Sequence, residues 1–260
     1  MCLIAIAFRA HPRYPLIVAA NRDEFYHRPS APIGFWKDHP DVLAGRDLQA
    51  NGTWLGISRT GRISAVTNYR DPAAIRPDAL SRGRLVSDFL TSDLPPETYL
   101  TAIQNQKDQY TGFNLVVGDV TKLWWYSNKK NVVVELDPGI HAISNRLLDT
   151  PWPKTEKIRA GMETICRTKK PVDPETVFAL LSDTTRAPDS ELPDTGVGLD
   201  WERMLSPIFV VSDVYGTRSS AVILVENSGR VLFSERTFLP GPDFPVPENT
   251  RAFSITVPMA

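Results

Sequence analysis

Cys2-Leu3-Ile4-Ala5-Ile6-Ala7-Phe8, a loop through Pro12 and Pro15, Leu16-Ile17-Val18-Ala19-Ala20, and then Asn21-Arg22-Asp23-Glu24-Phe25: this opening stretch decides how the chain is read. Two core-like apolar runs of strand length lie close together, and the second ends abruptly in a cluster of charge. The loop prolines punctuate the two runs. Polar groups at the end of a core strand are where sites often lie, and Asn21 follows Ala19-Ala20 directly.

Outward from this pair the strand pattern continues. Val42-Leu43-Ala44, Thr53 to Ser58 and Arg62 to Thr67 read as strands, with Asn51-Gly52 and Thr60-Gly61 as turns, because Asn and Gly tolerate the positive φ of tight hairpins. Leu85, Val86, Phe89 and Leu90 share one face of a helix over residues 83–91, and Pro96 to Gln106 is a second helical segment. Strands return at Phe113 to Gly118, Lys122 to Tyr126, Asn131 to Leu136 and His141 to Ser144. Ile158, Met162 and Ile165 mark a helix begun near Pro153, and Asp173-Pro174-Glu175 is a helix start with its own cap. Residues 184–200 read as a long surface loop, a lid or an insertion. Ile208 to Ser212, Ser219 to Glu226 and Val231 to Glu235 read as closing strands, the last two joined at Asn227-Ser228-Gly229. Many hairpins and few strand–helix–strand crossovers argue for antiparallel sheet with helices on its outer faces. A single domain over residues 1–260 is expected.

The composition narrows the function. Lys and Arg number 29 against 30 Asp and Glu, so nothing in the charge points to nucleic acid or an anionic membrane as the main partner. No apolar run approaches the ~20 residues of a membrane span, and the first eight residues lack the basic start and cleavage region of a secretory signal. Two cysteines, Cys2 and Cys166, give no disulfide framework, and a cytoplasmic location is expected. The four histidines, His11, His27, His39 and His141, show no zinc spacing, and no covalent-haem motif or glycine-rich phosphate loop is present.

Cys2 is the most suggestive residue. Methionine aminopeptidase removes an initiator methionine ahead of a small side chain, which would place a free α-amine and a thiol on one residue. Such an amine, with a pKa of about 7.7–8.0, can act as base to its own nucleophile. An activated thiol of this kind is expected below the ordinary value of about 8.5. The competing reading is a small residue filling a buried strand, which is also the reading for Cys166 on the apolar face of a helix. Arg22 and Asp23 are adjacent, so on a regular strand they point to opposite faces and both address Cys2 only if the chain bends. Asn68 and Asn145 end strands, where a rigid amide makes an oxyanion donor or merely forms a turn. Arg218 in Tyr215-Gly216-Thr217-Arg218 is a clamp for a carboxylate or phosphate, or a surface salt bridge.

Assembled, these residues resemble the NRDE family, also called the transport-and-Golgi-organisation protein 2 family. The marks are Met1-Cys2-Leu3-Ile4, Asn21-Arg22-Asp23-Glu24-Phe25 with Arg28-Pro29, Gly45-Arg46-Asp47, and Asn51-Gly52-Thr53-Trp54-Leu55-Gly56. Thr67-Asn68-Tyr69-Arg70, the long block Ser144-Asn145-Arg146-Leu147-Leu148-Asp149-Thr150-Pro151-Trp152-Pro153-Lys154, and Tyr215-Gly216-Thr217-Arg218-Ser219-Ser220 complete them in order. The resemblance implies an αββα sandwich of two mainly antiparallel sheets between helical layers, similar to the N-terminal-nucleophile hydrolases and, by analogy, to choloylglycine hydrolase and penicillin V acylase. It implies Cys2, Arg22, Asp23, Asn68 and Asn145 as catalytic residues; Asn21, Tyr215 and Arg218 are candidate substrate-binding residues. In that group the Arg and Asp are separated along the strand, whereas here they adjoin. Either the chain bulges or Arg22 takes part without Asp23.

The expected function is a Cys2-dependent hydrolase of a non-peptide amide or a thioester, with no cofactor required and a small molecule as partner. The alternative is a non-catalytic carrier of haem or an acyl lipid in the same cleft, since family members are associated with haem trafficking and acyl-CoA homeostasis. Haem would want an axial His or thiolate, for which Cys2 and His27 are the candidates near the motif. Trp36, Trp54, Trp124, Trp125 and Tyr126 are candidate apolar walls for a carrier.

Overall fold

The run Cys2–Phe8 has no polar break and is buried along its whole length, so it forms a strand (β1) covered on both faces. Its even positions Ile4, Ile6 and Phe8 enter one core cluster, while Leu3, Ala5 and Ala7 enter another. The period-2 alternation of a strand thus feeds two apolar layers at once. The computed structural model describes residues 2–74, 76–239 and 246–259. Met1, and with it the expected processing of the N-terminus, lies outside the described residues.

β2 (Leu16–Phe25), β3 (Ser30–Phe35), β4 (Val42–Asp47), β5 (Leu55–Ser58) and β6 (Arg62–Asn68) follow β1. Helices α1 (Gly83–Thr91) and α2 (Pro96–Asn105) come next. Then come β7 (Phe113–Asp119), β8 (Leu123–Ser127), β9 (Val132–Glu135) and β10 (Gly139–Ile143). Helices α3 (Pro153–Arg167), α4 (Pro174–Leu181) and α5 (Leu199–Leu205) lead into β11 (Tyr215–Val225), β12 (Arg230–Phe238) and β13 (Pro247–Thr256).

The strands make two antiparallel sheets, one ordered β10-β1-β2-β11-β12-β13 and the other a meander from β3 to β9. Between them lies a core including Ile4, Val18, Leu43, Ile63, Trp125 and Phe233. The outer face of the first sheet is covered by α3 and α4 through Ile158, Met162, Val177 and Phe178. The outer face of the second is covered by α1 and α2 through Leu85, Phe89, Leu100 and Ile103. The expected αββα sandwich is the architecture found.

Local chemistry explains several boundaries. Asp173 caps α4 by accepting from the Glu175 amide at 3.0 Å, with Pro174 in the first turn. Asn51, in the turn joining β4 to β5, has φ +57°, as its asparagine permits.

Four expectations need correction. Thr53 and Trp54 precede a strand that begins at Leu55. Residues 208–212 do not form a strand. They fold back on β11, with the Thr217 amide donating to the Val210 carbonyl at 2.9 Å and Ser212 Oγ donating to the Tyr215 carbonyl at 2.6 Å. β3 and β13 have no counterpart among the expected strands. Both are sheet edges containing proline, Pro32 and Pro247, where a missing N–H costs no ladder bond. The segment 184–200 is not one structureless loop, because Leu199 already begins α5.

Candidate active site

Cys2 and Arg22 are direct cross-strand partners in the β1–β2 register, so their side chains share a face. That face is the one turned toward the second sheet, since Ile4, Val18 and Ala20 on it belong to the inter-sheet core. Where this core ends, the sheets enclose a cleft of about 1280 Å³, with Cys2 and Arg22 in its lining. Both residues are 8% exposed.

Asn21 and Asp23 lie on the opposite face of β2. Asn21 Nδ2 donates to the carbonyls of Leu181 at 2.8 Å and Ile208 at 2.9 Å, and its Oδ1 accepts from Ser220 at 2.6 Å. It is fully buried and outside the cleft lining, a pin between the sheet and the helical layer rather than a group facing ligand. Asp23 accepts from Thr217 Oγ1 at 2.7 Å and is also within the field of Lys154 and of the positive charge at the start of the chain. Burial pushes its carboxyl up in spite of these cations.

The irregularity lies not in β2 but in its neighbour β11. Asp23 pairs with Thr217 and Arg22 with Ser219, so Arg218 is the extra residue of a bulge in β11, while β2 keeps an unbroken register against β1. Alternation then gives the two residues different surroundings. Arg22 lies beside the thiol, and Asp23 lies on the other side of the strand, held by Thr217, where it still reaches the cleft lining. The bulge releases Arg218 from the pleat. Its Nη1 donates to the carbonyls of Phe25 at 3.1 Å, Tyr26 at 2.9 Å and Arg28 at 3.1 Å, tying down the turn after β2.

Asn68, at the end of β6, lines the cleft on the opposite wall. Asn145 is wholly buried behind it, and its Nδ2 donates to the Asn68 carbonyl at 3.0 Å. Asn145 is not among the cleft-lining residues, so it holds Asn68 from behind. Tyr215 is buried against the cleft, its hydroxyl donating to the Asp23 carbonyl at 2.9 Å and its ring packed edge-on to Phe25 and Trp201.

The surroundings of the Cys2 thiol disfavour its charged form. Burial pushes the thiol up, with Asp23 and Glu24 adding to the rise, and the chain-start charge and Arg22 only partly oppose this. The sulfur therefore rests as a neutral thiol and depends on a base to take its proton. Cys166 is likewise pushed up by burial on the apolar side of α3.

Three charged groups at this end of the molecule were not singled out from sequence. Arg70 and Glu202 form a buried ion pair, both side chains 4% exposed, and Glu202 also accepts from the Thr195 amide at 3.0 Å. Lys154, 3% exposed, donates to the Leu205 carbonyl at 2.9 Å, and burial lowers its ammonium to about 8. Arg70 and Lys154 stand inside quoted motif blocks, which was the available signal. Glu202 carried none. Through it α5 joins the site, and Gly196, Val197 and Trp201 become cleft wall.

Of the aromatic candidates, only Trp54 lines the cleft; Trp124, Trp125 and Tyr126 are core of the second sheet. His27 is exposed, with its ring against Phe25, and no histidine occurs among the described residues of the lining. These residues therefore do not fit haem held by an axial imidazole in the cleft.

The sequence matches the family described as Transport and Golgi organisation 2 across residues 1–240. The Transport and Golgi organization 2 homolog of Mus musculus is 36% identical over 259 residues, covering 92% of this chain and 94% of the relative. Transport and Golgi organization protein 2 of Drosophila melanogaster is 28% identical over 265 residues, covering 91% and 92%. Among solved structures, the C2A mutant of the conjugated bile acid hydrolase from Clostridium perfringens superposes with a TM-score of 0.52 at 9% identity, covering 98% of this chain and 92% of that one. That likeness is one of fold, the fold of the N-terminal-nucleophile hydrolases. On the family match and the extent of these identities, the chain belongs to the Transport and Golgi organisation 2 family.

Proposed function

We propose that the protein is a hydrolase of a non-peptide amide or a thioester, with Cys2 as nucleophile. The observation that carries this reading is the placement of Cys2. Its side chain faces a large inter-sheet cleft in register with Arg22, and the buried carboxylate of Asp23 lines the same cleft.

In this mechanism removal of Met1 frees the α-amine of Cys2. The amine takes the thiol proton as sulfur attacks the substrate carbonyl, which suits a thiol held neutral by burial. The carbonyl oxygen gains the negative charge, and the side-chain amide of Asn68, held from behind by Asn145, donates to it. Collapse of this intermediate expels the amine or thiol leaving group, which takes the proton from the ammonium and leaves an acyl thioester on Cys2. Water, deprotonated by the same amine, then releases the acid and regenerates the thiol. Asp23 orients the amine, and Arg22 and Tyr215 shape the approach to the sulfur.

Turnover of a panel of N-acyl amides and acyl thioesters by wild type and Cys2→Ser tests this. The reading expects hydrolysis of at least one class, lost in Cys2→Ser with the circular dichroism spectrum unchanged. Equal turnover in the two proteins would refute it. Binding without turnover in both would point instead to a carrier.

A further inference from the structure

Three guanidinium groups line the cleft that holds Cys2, those of Arg22, Arg82 and Arg218, and none makes an ion pair shorter than 3.8 Å among the described residues. Arg22 is more than nine-tenths buried, and its Nη1 has no hydrogen-bond partner. Its ion-pair contact is a long one, Nη2 to Glu24 at 3.8 Å. Arg218 spends Nη1 on backbone carbonyls, and its Nε is buried without a partner. Arg82 donates from Nη1 to the Gly112 carbonyl at 3.3 Å and makes no ion pair among the described residues.

The carboxylates nearby are otherwise engaged. Glu24 is shared with Arg28, Asp47 is held by Arg28 at 2.7 Å, and Asp71 by Lys129 at 2.6 Å. Glu235 Oε2 accepts from the Ile33 amide at 2.7 Å, and burial pushes its carboxyl up although Arg22 lies within its field. Glu248 contributes some field at Arg218, and Asp23, which also lines the cleft, accepts from Thr217 Oγ1 at 2.7 Å.

Backbone packing puts Arg82 there. Gly52 lies so close to Gly83 that a Cβ at Gly52 would stand 2.5 Å from the Gly83 carbonyl carbon, and the Thr53 amide donates to the Gly83 carbonyl at 3.2 Å. This contact presses the start of α1 into the cleft wall, where Arg82 precedes the positive end of the helix dipole. There it lies within electrostatic reach of Cys2 and Glu24.

A buried guanidinium without an anion is costly, whereas a carboxylate or phosphate offers it charge-assisted, bidentate hydrogen bonds. We propose that the cleft selects an anionic substrate, with Arg22, Arg82 and Arg218 binding a carboxylate or phosphate group carried close to the carbonyl that Cys2 attacks. This rests on the reading of Cys2 as the nucleophile, and Arg82 is a substrate-binding residue of that site.

The test compares alkylation of Cys2 by iodoacetate and by iodoacetamide in the folded protein, followed by peptide mass spectrometry. The denatured chain gives the intrinsic ratio of the two rates. The folded protein should favour the anionic reagent by roughly tenfold over that ratio, as expected for unneutralised charge near the sulfur. Arg82→Gln should lose most of this preference and Arg82→Lys keep part of it. If Arg82→Gln does not fold, Arg218→Gln is read in its place. Iodoacetamide alkylation without any preference overturns the anion subsite and leaves the nucleophile standing.

If neither reagent reaches Cys2, the nucleophile reading fails, and melting temperature decides the subsite. A rise with inorganic phosphate or acetate over chloride at equal ionic strength, absent in Arg82→Gln, supports it; equal melting overturns it. Protection of Cys2 from iodoacetamide separates the two sources. Stronger protection by phosphate than by acetate assigns a phosphate, the reverse assigns a carboxylate, and protection by neither counts against the proposal.

Discussion

Replacing Glu202 with Ala removes the carboxylate facing Arg70 and leaves the guanidinium sealed in the wall of the site. Both side chains are 4% exposed, so water cannot take over. Arg70 would keep the Asn145 Oδ1 contact at 3.4 Å and the face of Trp152 at 4.9 Å, while its Nε already has no partner. The substitution also strips Thr195 of its acceptor. Breaking a buried ion pair on one side costs about 3–5 kcal/mol. In a chain of this length each kcal/mol moves the melting temperature by about 2–4 °C, so a fall of roughly 6–20 °C is expected. Removing both charges in Arg70→Met/Glu202→Leu should recover much of that loss, because a packed apolar pair has no stranded charge. Chemical denaturation of the wild type, Arg70→Met, Glu202→Leu and the double variant closes the cycle. A Glu202→Ala cost below about 1 kcal/mol, or strictly additive singles, would refute the claim that this pair fastens α5 to the site.

Three further outcomes follow from named contacts. Gly52→Ala should destabilise by about 1–3 kcal/mol in urea, because its Cβ meets the Gly83 backbone and one of the two segments must shift; a neutral result would show that α1 yields freely. Asn21→Ala should cost about 3 kcal/mol, since two carbonyls, those of Leu181 and Ile208, lose their donors in the dry layer beneath the sheet; a loss below about 1 kcal/mol would mean that water replaces the amide. His141 bonds Asp149 at 2.8 Å, and this bond, against burial, raises its imidazole. With a raised folded-state pKa, the contribution is complete below the unfolded value of about 6.5 and is lost as pH climbs through the raised value. Wild-type stability should therefore fall by about 1 kcal/mol over that window while His141→Gln stays flat, and parallel profiles would contradict the assignment.

Strands that run through the core were readable because each is a run of apolar residues ended by Gly, Asn or Pro. β1, β6, β7 and β8 lie close to their expected bounds for this reason. β13 escaped because nearly all of its residues are exposed, so no apolar pattern marks it, and the proline in β3 argued against a strand that exists only as an edge. Residues 208–212 misled in the opposite sense. They are apolar because they are buried beside β11, not because they pair within the sheet. At the site, alternation puts Arg22 and Asp23 on opposite faces of β2 although both reach the cleft lining, and the bulge sits in β11, about 195 residues away along the chain, where no local signal in β2 reports it. Glu202 and Arg82 were invisible for a related reason. Their significance lies in partners distant in sequence, Arg70 for one and the Gly52–Gly83 approach for the other.

The central claim is that Cys2 works as an N-terminal nucleophile, and intact mass spectrometry of the purified protein addresses it most directly. The account predicts a mass short by one methionine, and a single adduct on Cys2 after brief treatment with an acylating substrate analogue. A chain that retains Met1 in a preparation with full hydrolytic activity would contradict it.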